Sequence, residues 1–289
     1  MLDVAIVGGG PAGLAAALML GRSRKDVVLF DAGPPRNALA TRVQGFLTRD
    51  GASPAELRQL AHDELGRYGI AMRTQRIDRI EPAGRGFKIA GEMFRRVLLC
   101  TGVEDCVPEL YSGCWGTHVL QCPYCHAYEV ADRQYAFLAT KPADLDHALL
   151  LRGWSRDVTA FATFPVEGIH RDQLDKAKVP VDARPVRAVE PDGDRVRLVL
   201  DGGERVVDRV FAHPPQCQTA LVESLKLAVD DHGSVVVDAH YETSVPGVHA
   251  AGDLMTRVHS AQVAAGNGAA AAYAVNFAVT LERVVEGSL

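Results

Sequence analysis

The sequence predicts an α/β protein in which parallel sheets are covered by helices on both faces. Three stretches carry that expectation. Asp3-Val4-Ala5-Ile6-Val7 is a buried-type strand that passes through a glycine-rich turn into an Ala/Leu-rich helix ending near Leu20. Gln134-Tyr135-Ala136-Phe137-Leu138-Ala139 opens a second strand–helix–strand series, with a helix over roughly 144–153 and a strand at Val158-Thr159-Ala160-Phe161. Val248-His249-Ala250-Ala251-Gly252-Asp253 is a third strand end, with a long helix following from about Ser260.

Composition bounds what such a protein can do. The 289 residues hold one large domain or two modest ones, and 47% hydrophobic with 23% charged residues is an ordinary globular balance. A net charge of -5 gives a nucleic-acid partner no electrostatic support. The one dense basic cluster, Arg22, Arg24 and Lys25, reads as a solvated turn. No apolar run is long enough to span a membrane, so no membrane partner is expected. The chain enters its first strand directly after Met1, without room for a leader segment, and a cytoplasmic location is expected.

The first turn reads Gly8-Gly9-Gly10-Pro11-Ala12-Gly13. Gly8 makes the tight turn, Gly10 lets backbone approach a pyrophosphate, and Gly13 lets helix pack on strand. The helix start at Pro11 and Ala12 then offers unpaired N–H groups and partial positive charge to phosphate. A second strand, Val27-Val28-Leu29-Phe30, ends in Asp31 and Ala32, where an acid can hold a ribose hydroxyl. Strand, turn, helix, strand and acid in this register predict a Rossmann-type dinucleotide site.

Which dinucleotide is decided further along. The strand ending in Gly252-Asp253, with the helix that begins at Ser260 and Ala261, is similar to the second FAD motif of the two-domain flavoprotein disulfide reductases. Leu98-Leu99-Cys100-Thr101-Gly102 resembles the strand end between the two motifs in that family. The resemblance implies FAD, with Asp253 on a ribityl hydroxyl and the helix start facing the flavin N1–C2=O edge. A positive helix end there stabilises the anionic reduced flavin.

Six cysteines are present: Cys100, Cys106, Cys114, Cys122, Cys125 and Cys217. Only Cys122 and Cys125, in Gln121-Cys122-Pro123-Tyr124-Cys125-His126, have spacing that suits redox or metal chemistry. Two residues apart, they can close a disulfide within one helical turn. At a helix start the first thiolate is favoured, and His126 can carry protons at neutral pH. Three other readings compete. Cys-x-x-Cys-His also attaches c-type haem, but that needs export and a second axial ligand. Zinc needs two further ligands, and Cys106 and Cys114 do not form a second such pair, so no metal is expected. A buried structural pair needs no adjoining histidine.

Over essentially its whole length the chain resembles the low-molecular-weight thioredoxin reductases. Cys-Pro-Tyr-Cys-His resembles their branch of gliotoxin- and holomycin-type dithiol oxidases, as do Gly33-Pro34-Pro35-Arg36-Asn37 and the segment Gly45–Gly51 that follows Gln44. Ala127 departs from the branch, which usually carries glycine there. The resemblance implies two Rossmann-like three-layer domains. The FAD domain (1–116 and 246–289) is interrupted by a smaller NADPH-domain-like insert (117–245) that carries the cysteines. Arg36, Asn37 and Gln44 then lie near the flavin, Cys125 faces its C4a, Cys122 exchanges with substrate, and His126 replaces an acid–base aspartate. A homodimer is also implied, and the small residues of the last helix, Ala264 to Ala272, suit close packing.

The insert departs from that pattern where nucleotide should bind. In place of a Gly-x-Gly-x-x-Gly turn the chain reads Ala139-Thr140-Lys141-Pro142-Ala143-Asp144-Leu145-Asp146, without glycine and with two acids. No arginine cluster follows the next strand to grip a 2′-phosphate. The expectation is an FAD enzyme that oxidises a small-molecule dithiol, or a thioredoxin-like protein, with dioxygen as acceptor. The alternatives are a reductase fed by a protein donor such as ferredoxin, and a non-enzymatic flavin-binding sensor.

Overall fold

The computed structural model describes residues 1–288. The chain forms two compact units, residues 1–104 with 216–288, and residues 105–215.

The first unit is built on β1 (Leu2–Val7), α1 (Pro11–Arg22), β2 (Val27–Asp31), α2 (Pro54–Gly66), β3 (Ala71–Thr74), β4 (Glu81–Ala83), β5 (Gly86–Ile89) and β6 (Glu92–Leu99). The sheet runs β3-β2-β1-β6, all parallel, with β5 and β4 continuing antiparallel from the first half of β6. Strands buried on both faces read as continuous apolar runs, as β1 and β2 do. Alternate residues face opposite sides: Val4 and Ile6 join one core with α1, Ala5 and Val7 the other.

The second unit follows. A short β7 (Glu104–Asp105) precedes β8 (Val119–Leu120), α3 (Pro123–His126), β9 (Gln134–Leu138), α4 (Leu145–Leu151), β10 (Asp157–Phe161), α5 (Gly168–Lys176) and β11 (Val181–Asp182). Then come β12 (Val186–Asp192), β13 (Arg195–Leu200), β14 (Gly203–Val207) and β15 (Arg209–Ala212). Its parallel sheet has the order β11-β10-β9-β15-β8, and β12-β13-β14 form a separate antiparallel sheet. Tyr135, Phe137 and Val158 face α4 and α5; Ala136, Leu138 and Phe161 face the antiparallel sheet. β13 and β14 form a hairpin, and β12 adds a third strand whose alternation is broken by a bulge between Val186 and Ala188.

The chain returns through β16 (Gln216–Cys217), α6 (Ala220–Ser224), β17 (Val248–Ala250) and α7 (Ala261–Val285). β17 pairs in parallel with the second half of β6. The smaller unit is thus displaced from the expected 117–245 at both ends, for a packing reason. Leu221, Val222, Leu227 and Val235 fill the core of the first unit beside Phe87 and Phe94, and Glu242 accepts from Arg96 at 3.1 Å. At the other end Tyr111 and Cys114 are buried against Val189 and Val196 of the second unit.

The small residues of α7 meet α1. A Cβ on Gly268 would stand 2.0 Å from the carbonyl oxygen of Ala12, so backbones touch there. Gly268→Val should therefore destabilise the first unit by about 1–3 kcal/mol through overpacking. Gly266, on the same helix with nothing within 4 Å of its Cβ position, should tolerate alanine or gain up to about 1 kcal/mol. Thermal unfolding of the two variants checks the contrast; equal melting temperatures would contradict it.

Candidate functional site: a dinucleotide cradle and a redox disulfide

In the first unit the turn after β1 is glycine by necessity. Gly8 has φ +112°, and a Cβ there would lie 2.2 Å from the Cys100 carbonyl oxygen; one on Gly13 would lie 1.9 Å from that of Gly8. Gly10 has open space around it instead. It caps α1, Pro11 follows, and no acid stands in the first turn, so the Ala12 and Gly13 N–H groups face outward without intrahelical acceptors. Burial pushes the Cys100 thiol far above its ordinary range, which makes it a packing residue.

Asp31 is less open than its place in the sequence suggests. Its Oδ1 accepts from the Gly9 N–H at 3.2 Å, and its Oδ2 accepts from Arg58 of α2 at 2.6 Å. Arg58 also donates to the Gly9 carbonyl at 3.0 Å, closing a ring around the turn. Sequence reasoning missed Arg58, because a solvent-facing arginine on an amphipathic helix carries no signal of its own.

Gly252 has φ +92° and is placed against the Ala12 methyl, with Asp253 following. Arg36 reaches Asp253 at 3.1 Å and His259 Nδ1 at 3.0 Å, so a residue of the β2 loop holds the β17 loop. Ser260 caps α7, its Oγ accepting from the Val263 N–H at 3.0 Å, and Ala261 begins an acid-free first turn. Thr101 and Gly102 follow β6; Ala32, Asn37 and Gln44 lie in the long connection between β2 and α2.

In the second unit Cys122 and Cys125 are joined by a disulfide with a Cα–Cα distance of 5.3 Å. Cys122 caps the single turn α3, and Pro123 is buried beneath it while Tyr124 and Tyr128 are exposed. The segment is pinned from below. The buried Tyr135 hydroxyl donates to the Ala127 and Val130 carbonyls at 3.2 and 2.6 Å, its own pKa pushed up to about 12 by burial. Ala127 is completely buried, which leaves a methyl as well accommodated as a glycine. His126 is held below the ordinary histidine value mainly by burial, with Glu129 opposing, so it is neutral at pH 7 and can accept a proton.

The loop after β9 closes on itself. Asp144 is buried, and its Oδ2 accepts from the Thr140 N–H at 2.8 Å, the Thr140 hydroxyl at 2.7 Å and the Lys141 N–H at 3.1 Å. Donors that would meet a phosphate in a nucleotide-binding loop meet the chain's own carboxylate. Among the described residues no group of three or more His, Cys, Asp or Glu side chains is placed to hold a metal ion, and no helix is long and apolar enough to cross a membrane.

The family model for pyridine nucleotide-disulphide oxidoreductases matches residues 2–137 and 160–268. The chain belongs to that family. It is 28% identical to the thioredoxin reductase sirT of Leptosphaeria maculans over 96% of this chain and 94% of the relative. The HlmI crystal structure superposes with a TM-score of 0.92 at 34% identity, covering 99% of this chain and 95% of that one. An oxidoreductase from Agrobacterium tumefaciens gives 0.88 at 32% identity, covering 97% and 99%. The protein is thus a thioredoxin reductase-like flavoprotein disulfide oxidoreductase with two Rossmann-type units.

The family implies a flavin, and the residues fit one. Thr101 Oγ1 is buried without a hydrogen-bond partner, Gly10 leaves its surroundings open, and α1 presents free N–H groups. Arg58 holds both the turn and Asp31, so Arg58→Ala should weaken flavin binding by about tenfold or more, a charged hydrogen bond being worth about 1.5–3 kcal/mol. Equilibrium titration of the stripped protein with flavin measures this. Unchanged affinity would leave Arg58 no positioning role.

Proposed function

We propose that the protein oxidises a substrate dithiol to a disulfide through Cys122–Cys125 and FAD, with dioxygen as final acceptor and no pyridine nucleotide as donor. The observation that carries this reading is the Asp144 carboxylate, buried where a nucleotide phosphate would bind and holding three donors. Phosphate could enter only by displacing it, and would then lie against its negative charge. With that entrance closed, electrons come in through the disulfide.

FAD is favoured over a mononucleotide because the first unit offers two ends. Gly8, Gly10, Pro11, Ala12 and Gly13 would hold the pyrophosphate, with Asp31 and Ala32 at the adenosine ribose. Arg36, Asn37, Gln44, Thr101 and Gly102 would border the flavin half. Gly252, Asp253, Ser260 and Ala261 would complete it, the start of α7 supplying positive potential. Bound FAD supplies a two-electron acceptor that dioxygen can reoxidise.

The chain's own residues perform the thiol chemistry. A substrate thiolate attacks Cys122 Sγ, the Cys122–Cys125 bond breaks, and Cys125 leaves as thiolate. The second substrate thiolate attacks the mixed disulfide, releasing the oxidised substrate and the Cys122 thiolate. Two electrons have then passed to the cysteine pair, and neutral His126 takes up a proton released by the substrate thiols. Anaerobically, dithiothreitol should bleach the flavin absorbance of the holoenzyme and air should restore it, while NADPH leaves it unchanged. Rapid bleaching by one equivalent of NADPH overturns the reading; bleaching by reduced ferredoxin alone favours a reductase fed by a protein donor.

A homodimer is part of the proposal. Tyr273, Phe277 and Leu281 recur every fourth residue along α7 and are exposed, on a different face from Gly268, so a second copy can cover them. The molecular mass in solution should be twice that of the chain and should halve in Phe277→Glu. A wild-type protein of single-chain mass would remove the dimer.

A further inference from the structure

The connection between α4 and β10, Arg152-Gly153-Trp154-Ser155-Arg156, joins the redox segment to a basic basin. Trp154 packs edge-on against Tyr124, one of the two residues between the cysteines, with ring centroids 5.4 Å apart. Its carbonyl accepts from the Asp132 N–H at 2.9 Å, and the Ser155 hydroxyl donates to the Arg133 carbonyl. The same connection borders an open cavity of about 590 Å³ lined by Arg152, Arg156, Lys176, Ala177 and Lys178.

Four of the five lining residues are cations, and among the described residues none of them has a carboxylate within ion-pair distance. Nearby acids are engaged elsewhere: Asp175 with Arg171, and Asp157 with Gln134. Arg152 is fixed by donating to the Ala177 and Ser155 carbonyls at 2.8 and 2.9 Å. The cluster partly serves the C-terminal ends of α4 and α5, where positive charge is favourable. That accounts for one or two charges at a helix end, but not for four without a direct ion pair among the described residues in a chain of net charge -5.

The position excludes a nucleotide phosphate. In an open α/β sheet, ligands bind outside the carboxyl ends of the strands. Arg156 immediately precedes β10, and Lys176 and Lys178 precede β11, so the basin is at the amino ends. The basin is open to solvent, and the donors of Arg152, its one fixed cation, are already given to carbonyls, which suits a small-molecule site poorly. It suits the acidic face of a protein, and uncompensated charge of this kind acts chiefly on the rate of encounter.

We propose that Arg152, Arg156, Lys176 and Lys178, continued by Trp154 and Tyr124, form the docking surface for an acidic protein that carries the dithiol. This rests on the reading of Cys122–Cys125 as a dithiol oxidant. The partner's carboxylates settle on the basin and bring its thiols across the Trp154–Tyr124 pair toward the disulfide.

Two kinds of Cys-x-x-Cys peptide, tailed with Glu or with Lys, serve as probes beside dithiothreitol. The reduced Glu-tailed peptide should bleach the holoenzyme's flavin about tenfold or more faster than the Lys-tailed one at low salt, and the preference should fade at high salt. Arg156→Glu with Lys178→Glu should abolish that preference while leaving the dithiothreitol rate unchanged. An unreactive Ser-x-x-Ser version of the Glu-tailed peptide, followed by fluorescence anisotropy, measures docking without turnover. Equal rates for the two peptides, or a preference that survives the double variant, overturns the docking surface. Intact, charge-dependent anisotropy binding with no bleaching by any dithiol instead upholds the surface and sinks the oxidase reading.

Discussion

The first unit depends on backbone touching backbone where side chains would ordinarily stand. α1 starts beneath the strand ends because Gly13 lies against Gly8, and Gly8 against Cys100. α7 crosses α1 because Gly268 lies against Ala12, and Gly252 brings the β17 loop onto the same Ala12. A single Cβ at Gly8, Gly13 or Gly268 would fall within about 2 Å of a carbonyl oxygen. Close packing of this kind leaves no slack to absorb such a change. The N-terminus of α1 is therefore held at one spot, and the N–H groups it presents are fixed in space before any ligand arrives.

In the second unit the loop after β9 is held by its own carboxylate. Its two cores are made mainly by residues of the sheet faces and the helices on them, such as Tyr135, Phe137, Leu145, Val158 and Val210, and of the loop that follows β9 only Ala139, at its start, joins them. Asp144 gives the loop a complete hydrogen-bond set of its own, so the donors of the turn are satisfied without a phosphate. The same unit carries α3 and its disulfide, and Tyr135 of β9 holds the segment after them through the Ala127 and Val130 carbonyls.

Much of this was legible in the sequence because it is local. The glycine spacing, the Gly252-Asp253 strand end and the cysteine pair each occupy fewer than about ten residues, and each has a mechanical reason for its spacing. The missing glycines after Ala139 were equally plain. Less plain were Arg58 and Tyr135, whose partners lie on other elements: Asp31 is 27 residues from Arg58, and only the folded sheet brings Tyr135 beneath α3. The limits of the smaller unit were hidden for a related reason. Residues 216–245 hold only a two-residue strand and one short helix and look like a continuation of the insert, yet Leu221, Val222 and Val235 are buried in the core of the other unit.

By itself the sequence determined the α/β class, the dinucleotide turn and the redox pair, since each follows from steric or hydrogen-bonding rules acting within a few residues. The tertiary structure alone decided which charges are satisfied. It placed the Asp144 carboxylate over the donors of its own loop, clamped Asp31 with Arg58, and among the described residues gave Arg152, Arg156, Lys176 and Lys178 no carboxylate within ion-pair distance. A side chain's type states what it can bind. Only the fold, by bringing distant groups within about 3 Å or keeping them apart, settles what it does bind.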